Sequence, residues 1–307
     1  MRNRIESFVI GAAVAALVIL PAKAGDSNWV TGPQKSFNVS ALRINGVVGN
    51  LKVDVRDGGP AIVQVNGLRE RVNGVSIRTS NGELVIEDHN VNSVWDWHRW
   101  FDFSHLGENK SSNLAINIVL AKGTRVKVSD LIGNAAIGNT DGPMSFSADG
   151  STETTIGRVS EANISLSGSG KVTVGDVMGA LKADTAGSGD IRVGSADSAK
   201  ADIAGSGSIT VGRIAHGVDV DIAGSGDFSA ASVNGPTHVD IAGSGSANIA
   251  SGTADPLHVD IMGSGSLAFG GMAVNPKISA LGSGSVKIKA YRGKLDSDGM
   301  AAIKIGD

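Results

Sequence analysis

The tripeptide Gly-Ser-Gly recurs at 168–170, 187–189, 205–207, 224–226, 243–245, 263–265 and 282–284, with starts 19, 18, 19, 19, 20 and 19 residues apart. A weaker member, Asp149-Gly150-Ser151, lies 18 residues upstream. A fixed period of this length marks a fold made by stacking one small unit. The flanks share the period. Alternating stretches such as Val239-Asp240-Ile241 and Val259-Asp260-Ile261 precede the turn, and Ile191-Arg192-Val193, Ile209-Thr210-Val211 and Val286-Lys287-Ile288 follow it. Alternation with period two sends one face of a strand inward and the other outward. Glycine at both ends of the turn tolerates a positive φ and lets neighbouring coils approach closely. A variable segment closes each coil and carries one apolar residue, as at Ile214, Val233 or Val274.

Two short strands and a closing segment cannot bury an apolar face alone, but stacked coils can. Stacking predicts one interior ladder through Ile191, Ile209, Phe228, Leu267 and Val286, and another through Val193, Val211, Ile249, Phe269 and Ile288. Backbone groups then pair with the coils above and below, about 4.8 Å away. Phe228 stands near Ala230 and Ala247, so large and small residues trade volume between layers. A hairpin sandwich would not place the same turn at every nineteenth position. The expected fold is therefore all-β, a parallel β-solenoid with coils of about nineteen residues, its regular part spanning 131–292, followed by a tail or cap over 293–307.

The N-terminus reads as a secretory signal peptide over 1–24, followed by a linker over 25–35. Arg2 and Arg4 precede an apolar run from Phe8 to Leu20, Pro21 breaks it, and Ala22-Lys23-Ala24 supplies a small-x-small cleavage pattern. The run is too short to span a bilayer comfortably. The expectation is an exported protein of the periplasm, cell surface or extracellular space of a bacterium, with no transmembrane segment after cleavage. Net charge is −3 for the whole chain, and cleavage removes more basic than acidic residues. A mildly acidic body without a basic stripe excludes nucleic acid as a partner. With no Cys, neither disulfides nor thiol chemistry is available despite an oxidising destination.

Residues 36–130 are expected to form less regular β coils, with strands over 36–44, 50–55, 61–65, 75–79, 83–87, 113–120 and 125–129. Turns are signalled by Asn45-Gly46, Asp57-Gly58-Gly59-Pro60, Asn73-Gly74 and Asn81-Gly82. No helix is expected. An aromatic insertion at 90–112 breaks the pattern: its core, 94–103, holds Trp95, Trp97 and Trp100 of the chain's 4 Trp, and Phe101 and Phe103 of its 7 Phe. It is expected to cap the N-terminal end of the solenoid, since an open end is an edge liability. The alternative is a platform on which Trp95, Trp97, Trp100 and Phe101 stack against sugar rings or a protein.

Phe37-Asn38-Val39 through Ile44-Asn45-Gly46, Asn50-Leu51-Lys52-Val53 and Val63-Gln64-Val65-Asn66-Gly67 resemble the start of the head GIN domain of autotransporter-adhesin-like proteins. Ile77-Arg78-Thr79-Ser80-Asn81-Gly82-Glu83-Leu84-Val85-Ile86, Ile116-Asn117-Ile118-Val119-Leu120 and the downstream Gly-Ser-Gly-Asp coils continue the resemblance, which covers about residues 37 to 290. It implies a right-handed parallel β-helix of the bacterial envelope and carries no catalytic residues over.

The most ordered polar feature is a series of aspartates. Asp184, Asp202, Asp221, Asp240 and Asp260 each lie three residues before their Gly-Ser-Gly, on the outward face. Stacked carboxylates repel by roughly 0.8 kcal/mol per neighbouring pair at water-like screening. Two residues earlier, Lys182, Lys200, His238 and His258 relieve four of them, whereas Asp219 accompanies Asp221 and makes a local acidic maximum. One reading is a cation site or acidic binding strip around Asp219, Asp221, Asp240 and Asp260, with His238 and His258 sharing a soft metal. The preferred reading is a charge-paired outer strand that keeps solenoids soluble and apart, so no metal or cofactor is assigned.

Gly-Ser-Gly-Asp at 187–190 and 224–227 invites comparison with calcium-binding nonapeptides, but the period is nineteen and the fourth position is Ser208, Ser246, Ser266 or Ser285 in other coils. His89, His98 and His105 read as loop residues. No catalytic residue is assigned, because an active site is a singular constellation and these polar groups repeat. The function expected is a non-enzymatic, adhesin-head-like binding module for an envelope protein or polysaccharide. The alternatives are a glycan-active β-helix lyase or hydrolase and a purely structural envelope protein.

Overall fold

The computed structural model describes residues 28–89, 113–299 and 302–306. The segment read as a signal peptide and the aromatic insertion, with Trp95, Trp97, Trp100 and Phe101, lie outside these described residues. Within them, strands dominate and the chain forms a parallel β-solenoid. From Arg125 onward each coil pairs in parallel with the coils before and after it. The strand before each Gly-Ser-Gly stacks on its equivalents, and so does the strand after it, giving two long ladders. Short closing segments form a third line of contacts, with Val177, Ala196, Ile214 and Val233 in register and buried.

Both interior columns expected from the sequence are present. Ile191, Ile209, Phe228, Ala247, Leu267 and Val286 follow one another in register, as do Val193, Val211, Ala230, Ile249, Phe269 and Ile288. All are buried, and Phe228 lies in register between Ile209 and Ala247, next to the column that holds Ala230. A large ring is thus accommodated by small neighbours in the adjoining coil and column, as close packing requires.

The turns stack through backbone alone. Gly168, Gly187, Gly205, Gly224, Gly243, Gly263 and Gly282 adopt φ between 109° and 129°. A Cβ on Gly243 would lie 2.3 Å from the carbonyl oxygen of Gly224 one coil earlier. In all but the last of these turns the serine amide donates to that same oxygen, for example Ser225 to Gly205 and Ser244 to Gly224, both at 2.8 Å. Only the first glycine needs a positive φ. The second glycine is required for space: a Cβ on Gly226 would meet Cγ2 of Ile203 at 2.4 Å.

The N-terminal region departs from simple coiling. Strands Ala41–Asn45 and Val48–Arg56 form a coil whose two sides are both occupied out of sequence order. Arg125–Ile137 pairs with one side, and Glu83–Asp88 with Leu114–Ala121 with the other, all in parallel. Beyond these the pairing turns antiparallel. Val75–Ser80 lies on Glu83–Asp88, Ala61–Leu68 lies on Leu114–Ala121, and Trp29–Thr31 and Lys35–Phe37 lie on Ala61–Leu68. These antiparallel strands close the end at which the aromatic insertion is the expected cap. At the other end, Asp296–Gly299 and Ala302–Ile305 stack in register on the last Gly-Ser-Gly coil, so the segment set apart as a tail supplies a further coil.

A short helix, Arg69–Asn73, runs against the expectation of none. Its first residues carry no capping side chain, and five residues are too few to hold a helix by propensity. A tertiary clamp holds it instead: the Arg71 guanidinium donates to the Val48 carbonyl at 2.7 Å and to the buried carboxylate of Asp88 at 2.8 Å. A lone helical turn fixed by one arginine leaves no periodic apolar pattern to read.

The hairpin beside it is pinned by charge. Arg78 donates two hydrogen bonds to Glu87, and Asn45 of the next coil adds a third at 3.2 Å. The Arg78 contact, assisted by Asn45, pulls the Glu87 carboxyl down from its ordinary 4.5 to about 2. A depressed carboxylate stabilises the fold above its unfolded pKa, and that contribution is lost as pH falls from about 4.5 towards 2. An NMR titration of Glu87 is expected to give a midpoint near the lower value; a midpoint at 4.5 or above would contradict the contact. The stacked turns give a second expectation. Gly243→Ala should cost about 2 kcal/mol or more through strain and clash, while Ser244→Ala, whose side chain is exposed, should stay within about 0.5 kcal/mol, both read by denaturant unfolding.

Candidate functional site

Fixed register turns the outer face of the first ladder into three parallel columns. The central one is the aspartate series: Asp184, Asp202, Asp221, Asp240 and Asp260 are successive partners along the stack. Asp219, Asp221, Asp240 and Asp260 are therefore brought together on three adjoining coils, as expected. Ser279 and Asp298 continue the column. Asp298 carries no sequence signal of membership, because no Gly-Ser-Gly follows it.

The second column holds Lys182, Lys200, Asp219, His238, His258 and Lys277 in register. Here the structure redistributes charge. Lys182 pairs with its own Asp184 at 2.7 Å and lies 4.0 Å from Asp202 of the next coil, and the Lys200 ammonium reaches along the stack more closely. It contacts Asp221 at 2.7 Å, Asp202 at 3.1 Å and Asp219 at 3.3 Å. Asp221 first, then Asp202 and Asp219, hold this ammonium above its ordinary range. The acidic maximum expected at Asp219 and Asp221 is thus compensated by a lysine one coil earlier. Pairing residues only along one strand misses this, because a neighbour in the stack is as close as a neighbour two residues away. The uncompensated carboxylates lie further along: Asp240 meets His238 Nε2 at 3.0 Å, and Asp260 has no ion-pair or hydrogen-bond partner among the described residues.

The third column bears no charge or motif that marks it in the sequence. Ala186, Ala204, Ala223, Ala242, Met262 and Leu281 succeed one another in register, and all are exposed. Met262 and Leu281 show 62% and 58% of their surface. The signal was available: these residues lie two positions after each column aspartate, on the same outward face. Together the aspartate and apolar columns line a shallow groove of about 620 Å³ running from Ser165 to Met262. One wall accepts hydrogen bonds and the other is apolar, so the groove suits an elongated ligand that offers donors on one edge.

The aspartates that follow the turn are already engaged. Ser208 donates to Asp190 at 2.6 Å across one coil, and Ser246 donates likewise to Asp227. The Ser208 contact lowers the Asp190 pKa. These carboxylates tie coils together, which accounts for Gly-Ser-Gly-Asp without a calcium loop.

A solenoid with an apolar interior and a columnar, chemically graded face belongs to the class of β repeat scaffolds. The chain belongs to the family described as "Putative auto-transporter adhesin, head GIN domain", whose model matches residues 43–213 and 214–298. No curated protein matches it significantly. Among solved structures it is similar to a putative adhesin from Parabacteroides distasonis ATCC 8503, at 17% identity and TM-score 0.47, covering 92% of this chain and 98% of that one. A putative adhesin from Bacteroides fragilis NCTC 9343 matches at 14% identity and TM-score 0.44, covering 91% and 98%. A protein titled a putative lipid binding protein, also from P. distasonis, matches at 16% and 0.43, covering 92% and 98%. No helix among the described residues is long and apolar enough to cross a membrane.

The charge network makes a salt-dependent prediction. Exposed ion pairs are each worth about 0.2–1 kcal/mol, so Lys200→Met should lower stability by about 1 kcal/mol at low salt. The difference should shrink at about 1 M salt, where the screening length is about 3 Å. Because the lysine pKa is raised, its contribution is complete below 10.5 and is lost only as pH rises through the higher folded value. Urea unfolding at two salt concentrations checks this; a salt-independent loss would assign Lys200 a packing role instead.

Proposed function

We propose that this protein is an exported, non-enzymatic binding module that engages an envelope protein or glycan along the groove between its aspartate and apolar columns. The observation that carries the reading is the continuity of that groove over successive coils, each contributing one carboxylate and one exposed apolar side chain. A glycan strand matches such a surface: its hydroxyls donate to carboxylates while its C–H faces rest on Ala204, Ala223 and Ala242. An extended peptide with amino groups on one edge would match it by the same chemistry. Membership of a family described as adhesin heads supports a binding role, and the signal-peptide pattern at 1–24 supports export. The repetition of the aspartates along this groove favours recognition over catalysis, which calls for a singular constellation.

The test is binding to immobilised glycans and envelope proteins by wild type and by Ala204→Arg/Ala242→Arg, which fills the groove with side chains of opposite charge to its wall. Binding should weaken at least about tenfold, a loss of about 1.4 kcal/mol, while a deletion of 94–103 leaves it intact. Unchanged binding by the arginine variant would discard the groove. Loss on deletion alone would move the site to the aromatic platform, and glycan cleavage abolished by Asp221→Asn would make the protein an enzyme.

A further inference from the structure

We infer that His238, Asp240, His258 and Asp260 form a binding site for a divalent transition-metal ion of the zinc type. The motif His-x-Asp occurs at 238–240 and 258–260, on two consecutive coils, where the coils at 182–184 and 200–202 carry Lys-x-Asp and the one between carries Asp219-Val220-Asp221. Replacing lysine by histidine exchanges a fixed positive charge for a nitrogen lone pair, so the position ceases to neutralise its aspartate and becomes a ligand. Register places His238 against His258 and Asp240 against Asp260. The four groups thus occupy the corners of a quadrilateral two residues long and one coil high.

The distances fit this use. The imidazole centroids are 5.6 Å apart. His238 Nε2 stands 3.0 Å from Asp240 Oδ2, and one donor atom each from His238, Asp240 and Asp260 lie within 4.8 Å of one another. Tetrahedral ligands bound at about 2.0–2.1 Å are separated by about 3.3 Å, so these three side chains need close by about 1.5 Å, and His258, stacked on His238, turns its ring to bring in the fourth ligand atom. His238 and Asp240 are about four-tenths exposed, which leaves them room to do so. Two imidazoles with two carboxylates favour zinc and its neighbours over calcium or magnesium, which take all-oxygen shells.

A second observation separates this cluster from an ordinary acidic patch. Asp240 Oδ1 is shielded from solvent and has no hydrogen-bond partner, and Asp260 is unpaired among the described residues. A shielded carboxylate oxygen left without a donor is costly, and a bound cation removes that cost. The flanking cations do not: Lys200 is engaged with Asp202, Asp219 and Asp221, and Lys277, beside His258, makes no ion pair with Asp260.

Titration calorimetry of chelator-treated full-length protein with zinc chloride tests the proposal. One ion per chain is expected, and His238→Gln/His258→Gln should weaken binding by about 100-fold or more. Asp240→Asn/Asp260→Asn should weaken it similarly, and His216→Gln should leave it unchanged. These side chains face outward, and unchanged unfolding midpoints without metal will show that the variants fold. Cobalt(II) absorption supplies a second readout, with a tetrahedral spectrum in wild type that the double histidine variant lacks. No zinc binding by wild type, or equal binding by the double histidine variant, overturns the site. So does calcium binding of equal strength that survives loss of both histidines.

Discussion

Everything on this protein's surface depends on one close contact inside its turns. The first glycine of each Gly-Ser-Gly lies directly against the carbonyl oxygen of the equivalent glycine one coil earlier, at a distance no Cβ could share. In all but the last turn, the following serine amide donates to that oxygen. Because both partners are backbone groups, the contact is the same on every coil and admits little slippage. A one-residue slip would also turn each strand's apolar set outward. Glycine geometry and apolar alternation thus lock the register twice over.

Locked register converts sequence into columns, and columns have their own electrostatics. In a hairpin protein an aspartate meets different neighbours on each strand. Here the aspartates stack on copies of themselves at the spacing of a β-sheet. Such a stack is tolerable only where cations reach it, and Lys200 shows how far one side chain reaches, touching carboxylates on its own coil and the next. Relief by histidine works differently, since a neutral imidazole offers a hydrogen bond but no charge. The outer face is therefore graded, with lysine compensation at one end and a histidine-flanked pair of carboxylates at the other.

Much of this architecture is legible in the amino-acid sequence. The period implies the solenoid, the alternation implies both interior columns, and the spacing of Asp184 to Asp260 implies the aspartate column. The features that escape follow physical rules that sequence proximity hides. The reach of Lys200 runs perpendicular to the chain, so pairing along the strand places the acidic maximum a coil too early. The alanine column is easily passed over because alanine is unremarkable inside or outside, and only its register makes a strip. The helix at Arg69–Asn73 rests on a contact between Arg71 and Asp88 that no local pattern announces. The insertion of Ala41–Arg56 between later segments is likewise a long-range choice, since Gly46 and its flanking strands look like any other turn.

The inner and outer columns are constrained unequally, and this indicates where new chemistry can arise in such a fold. An inner residue shares volume with the coils on both sides and with its neighbour two positions away. Phe228 therefore commits Ala230 and Ala247 to being small. An outer residue answers only to charge and solubility. Exchanging Lys for His at one outer position changes no interior contact, yet it changes what the adjacent aspartate can hold. A solenoid can in this way alter its surface one coil at a time while the stack that supports it stays the same. The coils carrying His238 and His258 keep buried apolar residues at the same interior positions, Val239 and Ile241 recurring as Val259 and Ile261, and differ on the exterior, the combination expected where a site has been added to a scaffold without rebuilding it.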